Sequence, residues 1–398
     1  MEFLRPLNKY RFFRYTPNDP LAACLYLTRK IDRFNRIMGV SFFDPNHNFI
    51  NFSFIIRLCF LSMYIVSIFL STYLFRHEMT KLIYCLATFG FGCQGVMKIY
   101  SYIITRRRVI DLYTINFKYN ERMMNQSDRV KRVLCENATI THILIKGTML
   151  VYIILVCVTV SIPGLSSIFL SSRILPFGFI LPVLDPESWM GYIWNYAFQV
   201  IMSYFYLVLT LGGDITTIFN LLTAYGQLDA VMMLIEECNE QLARNEPSEA
   251  IQKKIVEIVQ LHQYHRSYLQ KLVDFLNPYH FVTVGSTVPA MVISVLGVML
   301  LKWYPGAVIM FLGSIQIFYI CFLGTGLELK TDALTDMVGA IRWDKLSVRD
   351  MKHMQLVLAL TQQPKVLLVA TTPLNVTAFL QIHKFIYSLI MMVENTKE

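Results

Sequence analysis

The sequence predicts an all-α integral membrane protein with seven transmembrane helices, a cytoplasmic N-terminus and a cytoplasmic helical anchor region. Three observations predict it. Of the 398 residues 55% are hydrophobic and only 16% charged, with mean hydropathy +0.46. That leaves too few polar groups to wet the surface of a soluble domain, whereas a lipid-facing helix needs none. Seven runs each reach about 20 mostly apolar residues, enough to cross about 30 Å of hydrocarbon. Finally, Lys and Arg gather in alternate loops.

The N-terminal segment 1–53 opens MEFLRPLNKYRFFRY, with charges every few residues and no uninterrupted apolar stretch. No cleavable signal peptide is expected, and the first span, 54–75, serves as its own targeting signal. The following spans are 82–104, 143–165, 189–211, 279–300, 304–327 and 374–393. The fifth and sixth are separated only by Leu301, Lys302 and Trp303, with Pro305 opening the sixth, which reads as a tight hairpin. The seventh is the least hydrophobic, carrying Gln381, His383 and Lys384. None of these runs alternates in polarity as a barrel strand must, so helices are the spanning structure.

Orientation follows from the basic residues. The N-terminal segment and the connections 105–142, 212–278 and 328–373 together carry 27 Lys and Arg; the other side carries 5, at Arg76, Lys81, Arg173, Lys302 and Lys397. This bias places the N-terminus inside and, after seven crossings, the C-terminus outside. The net charge of +9 therefore reads as orientation, not nucleic-acid binding. None of the eight cysteines lies in an outer loop, so no disulfide is expected. The sequons at Asn51, Asn125 and Asn137 fall inside and should carry no glycan. Arg57, Lys98 and Lys146 lie toward inner span ends and are expected to snorkel. Lys384, mid-span, should face protein or water. Asp214, after Gly212-Gly213, is expected at the interface.

The inner connections read as helices. Asn245–Pro247–Ser248 marks a start, after which Ile251, Ile255, Ile258, Leu269, Leu272 and Leu276 recur near helical period and run into the fifth span. Residues 350–362 are amphipathic as well. The outer connection 166–188 is apolar but holds Pro176, Pro182 and Pro186. It cannot be a regular span, and is expected to fold over the outer helix ends as a lid.

Catalysis finds little support. His262 and His265 have a spacing that can bind metal, but no Glu or Cys partner completes a recognised pattern, and a packing role is expected. There is no Gly-rich phosphate loop and no nucleophile elbow. No enzyme and no cofactor is expected. A G-protein-coupled receptor would place its N-terminus outside and carry an acidic-Arg-aromatic triplet after the third span, which is missing here.

The C-terminal stretch carries a specific likeness. From Leu356 it reads LVLALTQQPK; then come Pro373-Leu374-Asn375-Val376-Thr377-Ala378-Phe379-Leu380, Lys384 and Tyr387-Ser388. This closely resembles the insect odorant receptor signature, with Ala370, Thr371 and Thr372 replacing the family's usual Gly and aromatics. A gustatory receptor of the same superfamily is the alternative, but Tyr387–Met391 lacks that family's Gln. The resemblance implies an odorant-tuning subunit, of dipteran type, of a ligand-gated non-selective cation channel in the plasma membrane. Such a subunit forms a heterotetramer with a shared co-receptor. The segment between spans four and five is of average length, which places the chain among the tuning subunits.

The implied organisation is a cytoplasmic segment 1–53, a six-helix bundle 54–327 with a ligand pocket in its outer half, anchor helices 328–373, and a pore-lining seventh helix with an outer C-terminus, 374–398. The partners are the co-receptor, a small volatile odorant and membrane lipid. In the seventh helix Ser388, Met392, Asn395 and Thr396 share a face, with Met392 as gate. The pocket is expected between spans two, three, four and six, drawing on Tyr84, Thr88, Phe89, Cys157, Tyr192, Tyr196, Gln199, Tyr304 and Phe311.

Overall fold

The computed structural model describes residues 2–395 apart from 38, 40, 42, 43, 45, 49, 50, 170–172, 183, 302–304, 364, 365 and 370. The described chain is almost entirely helical: α1 (Pro20–Arg36), α2 (Phe52–Leu74), α3 (Met79–Ile104), α4 (Arg106–Met123), α5 (Asp128–Phe169), α6 (Trp189–Ala243), α7 (Ser248–Leu301), α8 (Pro305–Gly339), α9 (Val348–Thr361) and α10 (Val376–Asn395). A two-residue hairpin, β1 (Leu368–Val369) and β2 (Thr372–Pro373), joins α9 to α10.

Local chemistry sets the boundaries. Asp19 caps α1, accepting from the Leu21 amide at 2.7 Å, with Pro20 at the first helical position. Ser188 caps α6 through the Gly191 amide, and Ser347 caps α9 through the Asp350 amide. Asn245 ends α6 with φ of 51°, a left-handed conformation that Asn tolerates better than most side chains. The start signal read at Asn245–Ser248 thus coincides with the α6–α7 turn, and α7 runs unbroken into the fifth expected span.

Among the described residues six helices are long and apolar enough to cross a membrane: Phe54–Leu74 in α2, and α5, α6, α7, α8 and α10. The chain is a multi-pass membrane protein. The second expected span coincides with α3, whose 26 residues extend about 39 Å. At 55 and 54 residues, α6 and α7 are about 80 Å long, far beyond the hydrocarbon thickness. Each therefore combines an apolar half with an amphipathic half that projects past the bilayer, where α4, α9 and the other ends of α5 and α8 pack against it. In α6, 78% of the most apolar window is buried, against 11% in α10. So α6 is the axis of the helical bundle, and α10 lies on its outside against α8.

The connection between α5 and α6 is non-helical, as its three prolines suggested. The amides of Phe177, Ile180 and Leu181 are taken up by Gln199 Oε1 (2.9 Å), Ser71 Oγ (2.8 Å) and Asn195 Oδ1 (2.6 Å). A segment without its own helix must satisfy its backbone this way inside a membrane bundle. At Gly178 a Cβ would lie 2.7 Å from Tyr84 Cβ and 2.8 Å from the Cys85 amide, so only glycine lets this strap press against α3.

Candidate functional site

The strap closes one end of a cavity of about 310 Å³. Its wall comes from α2, α3, α5, α6 and α8, with Phe177 and Phe179 entering from the strap. Phe179 packs edge-on against Tyr64 and Phe198, with ring centroids 5.2 and 6.2 Å away, so the closed end is a rigid aromatic plug. The wall is overwhelmingly apolar: Leu58, Leu61, Val96, Met202, Leu209 and Ile309 contribute to it. At the far end, where α2 begins and α3 finishes, it holds Phe54, Arg57, Tyr100 and Ile103. The cavity thus runs from the strap toward the opposite ends of the helices. It also draws on the first span, which the sequence reading had not included.

The nine residues expected in the pocket fall into distinct groups. Thr88 lines the cavity. Phe89 sits behind it, packing on Phe69 at 5.7 Å. Tyr84, Tyr192 and Gln199 brace the strap. Tyr84 donates to the Leu175 carbonyl (2.7 Å), Tyr192 to Ile174 (3.3 Å), and Gln199 Nε2 to Phe179 (2.6 Å). Tyr196 ties α6 to α5 by donating to the Val160 carbonyl at 2.7 Å. Cys157 and Phe311 correct the expectation: both are exposed on the outside of the bundle. Their neighbours Val156, Thr159, Val308 and Leu312 face the cavity instead, because the helical phase of a uniformly apolar span cannot be read from its composition. Tyr304 lies outside the described residues.

Behind the cavity is a polar layer that sequence reasoning missed. Lys98, expected to snorkel, is 1% exposed, and its Nζ lies 2.6 Å from Oδ1 of Asp214, itself 0% exposed. Tyr152 donates to Asp214 Oδ2 at 2.6 Å and Tyr279 to Oδ1 at 3.0 Å. One carboxylate therefore joins α3, α5, α6 and α7. Beside it, Tyr206 of the cavity wall donates to Gln94 Oε1 (3.0 Å). Gln94 Nε2 in turn donates to Thr287 Oγ1 (2.6 Å) and Gln316 Oε1 (2.9 Å). The cavity wall is thus wired to α7 and α8. Asp214 is not the interfacial residue expected, since its two Tyr partners and Lys98 bury it completely.

On the other flank of α8, Ser314 Oγ and His383 Nε2 of α10 are 3.1 Å apart, and Phe318 packs edge-on against Phe379 at 5.5 Å. Ser388, Met392 and Asn395 are exposed on the surface of the bundle, away from the α8 contact; Thr396 lies outside the described residues. Lys384 is exposed on the same side.

His262 and His265 are buried in the amphipathic half of α7. Desolvation, with Arg266 nearby, pushes the His262 imidazole down to about 4, and desolvation, with His262 beside it, pushes His265 to about 3. His265 Nδ1 pairs with Gln227 Oε1 at 3.3 Å. Among the described residues no group of three His, Cys, Asp or Glu could hold a metal.

Comparison with known proteins agrees with this architecture. A family model described as 7tm odorant receptor matches residues 78–387. The chain belongs to that odorant receptor family. A putative odorant receptor 83c of Drosophila melanogaster is 21% identical over 262 residues, covering 61% of this chain and 65% of the relative. The match therefore spans just under two thirds of that relative's length. Among solved structures, the insect olfactory receptor OR5 from Machilis hrabei in complex with eugenol superimposes with TM-score 0.74 over 95% of this chain and 100% of that one, at 13% identity. A second structure of the same receptor superimposes with TM-score 0.72 over 94% of this chain and 99% of that one, at 12% identity. At such identities the likeness establishes the fold of this odorant receptor family member and leaves its ligand to its own residues.

Proposed function

We propose that this odorant receptor family member is the odorant-binding subunit of a ligand-gated, non-selective cation channel in the plasma membrane. In this reading its N-terminus is inside, it crosses seven times, and it shares a pore with a co-receptor in a heterotetramer. The observation that carries the ligand-binding half is the apolar cavity, closed by the strap at one end and lined in part by α8, the helix on which α10 rests. Burying about 150–200 Å² of a volatile's apolar surface is worth roughly 4–5 kcal/mol, which corresponds to dissociation constants on the order of 0.1–1 mM. A small hydrophobic volatile thus fits the site energetically without elaborate polar recognition.

The exposed face of α10 supports the conducting half. A helix in lipid alone has no reason to expose Ser388, Asn395 and Lys384 together, because charged and amide groups are costly in hydrocarbon. A water-filled pore built from several subunits accommodates them, with Met392 as an apolar constriction. For the ligand to gate, it must bind the open arrangement better than the closed one. The α8 contacts, Ser314–His383 and Phe318–Phe379, are where a change in cavity shape would reach α10. Residues 328–373 would act as the anchor between subunits.

The test is to express this chain with a co-receptor and record currents during application of a broad volatile panel. Volatile-evoked cation currents are expected from the pair and little from this chain alone. No current from any volatile, with both subunits at the cell surface, would overturn the proposal.

A further inference from the structure

The cavity's hydrogen-bond donors are distributed unevenly, and the accounting points to a class of ligand. Along the closed end and the middle, each wall hydroxyl hydrogen is already committed. Tyr64 donates to the Thr88 carbonyl (3.0 Å), Thr88 to Cys85 (2.8 Å), Thr159 to Leu155 (2.8 Å), Ser203 to Gln199 (2.8 Å) and Tyr206 to Gln94 Oε1 (3.0 Å). These groups can accept a hydrogen bond from a guest but have no hydrogen to offer it. Among the described lining residues the remaining side chains with polar hydrogens are Arg57 and Tyr100, which line the far end together with Phe54 and Ile103. A guanidinium carries five N–H donors in a planar fork, so it can hold a carboxylate while keeping its other contacts.

Among the described residues Arg57 is also the one formal charge on the wall. Placed beside so much apolar surface, a cation favours a guest that brings an anion on an apolar chain. A charge-assisted bond in such surroundings is stronger than a neutral one. The aromatic plug of Phe177 and Phe179 at the opposite end offers only hydrocarbon contact. The guest is therefore oriented, tail toward the strap and head toward the start of α2.

Resting on the reading of this cavity as the ligand site, we infer that it selects medium-chain carboxylates, with Arg57 as the residue that sets the preference for acid over alcohol. Membrane lipid offers the same chemistry, an anionic head on an apolar tail. The test must separate the two.

The full chain, purified into nanodiscs of neutral phospholipid, is titrated with tritiated octanoate and tritiated octan-1-ol. Octanoate is expected to bind roughly tenfold tighter, the difference between a charge-assisted and a neutral hydrogen bond. Arg57→Gln should weaken octanoate about tenfold and leave octan-1-ol within about twofold, so alcohol binding reports that the variant is folded. If Arg57→Gln binds neither, Arg57→Lys decides: a retained acid preference supports the assignment and its loss overturns it. Wild-type protein that binds the alcohol with no acid preference overturns this inference alone. Wild-type protein that binds neither overturns the cavity reading with it. In nanodiscs containing phosphatidylserine the octanoate affinity should be unchanged; a loss there would show that Arg57 serves lipid head groups, and would overturn the assignment to a free ligand.

Discussion

Replacing Asp214 with Asn should destabilise this protein far more than replacing Asp214 and Lys98 together. The carboxylate accepts from Lys98 Nζ at 2.6 Å, Tyr152 at 2.6 Å and Tyr279 at 3.0 Å, with both charged residues essentially unexposed. At an effective dielectric of 20, charges this close attract by about 6 kcal/mol. The desolvation of two ions, several kcal/mol each, offsets most or all of that. The pair is therefore close to neutral as a pair and costly only when broken. Asp214→Asn keeps the shape and one acceptor oxygen but leaves the Lys98 ammonium buried without a counter-charge, a loss of about 3–5 kcal/mol. In Lys98→Met/Asp214→Asn the charge is gone, and the Asn oxygen can still accept from Tyr152. One tyrosine hydroxyl loses its partner, for about 1–3 kcal/mol. The assay is thermal denaturation of detergent-solubilised protein followed by fluorescence-detected size exclusion, comparing wild type, both single variants and the double. The double variant should melt well above Asp214→Asn. If Asp214→Asn and the double variant melt together, the ammonium finds water or another acceptor, and the reasoning about a closed ion cluster is wrong.

Other expectations follow from the same geometry. Leu209→Trp projects a ring into the cavity space and should abolish volatile-evoked current while surface expression, read by biotinylation, stays near wild type. Gly324→Ala places a Cβ against the Leu374 carbonyl oxygen, forcing α8 away from the start of α10. It should cost about 1–3 kcal/mol, seen as a lower melting temperature. His262 and His265 are held neutral, at about 4 and about 3, below an unfolded value near 6.5. As pH falls below about 6.5 the unfolded chain takes up protons that the folded one refuses. Each histidine should therefore remove about 2 kcal/mol of stability by pH 5, and His262→Gln should flatten the pH dependence of melting between pH 7 and 5.

Much of the fold was legible because bilayer insertion is a one-dimensional problem. Span length and apolar run coincide for α2, α5, α6, α7, α8 and α10, and the signal at Asn245–Ser248 marks a real helix boundary. The prolines of 166–188 announced a non-helical connection, and Phe177 and Phe179 do lie across the cavity. The site was less legible. Tyr192, Tyr196 and Gln199 form a polar stripe at helical spacing, yet they bind backbone carbonyls: Tyr192 and Gln199 serve the strap, which lacks a helix to satisfy its own peptide groups, and Tyr196 ties α6 to α5. One signal for Asp214 was present. A carboxylate inside an apolar run must have a partner, and Lys98, two turns before the end of α3, is a cation inside another apolar run. Nothing in either segment says that they meet, since 116 positions separate them.

The sequence by itself determined that this is a multi-span helical membrane protein, how long its spans are, and, through the motif from Leu356 to Ser388, which family it belongs to. Hydrocarbon imposes those features on every helix separately, and composition records them. The tertiary structure alone decided which face of each span turns inward. In lipid a helix has no solvent-facing polar side to advertise its orientation, so the phase that puts Thr159 in the cavity and Cys157 outside it, and that brings Lys98 to Asp214, emerges only when the helices pack together.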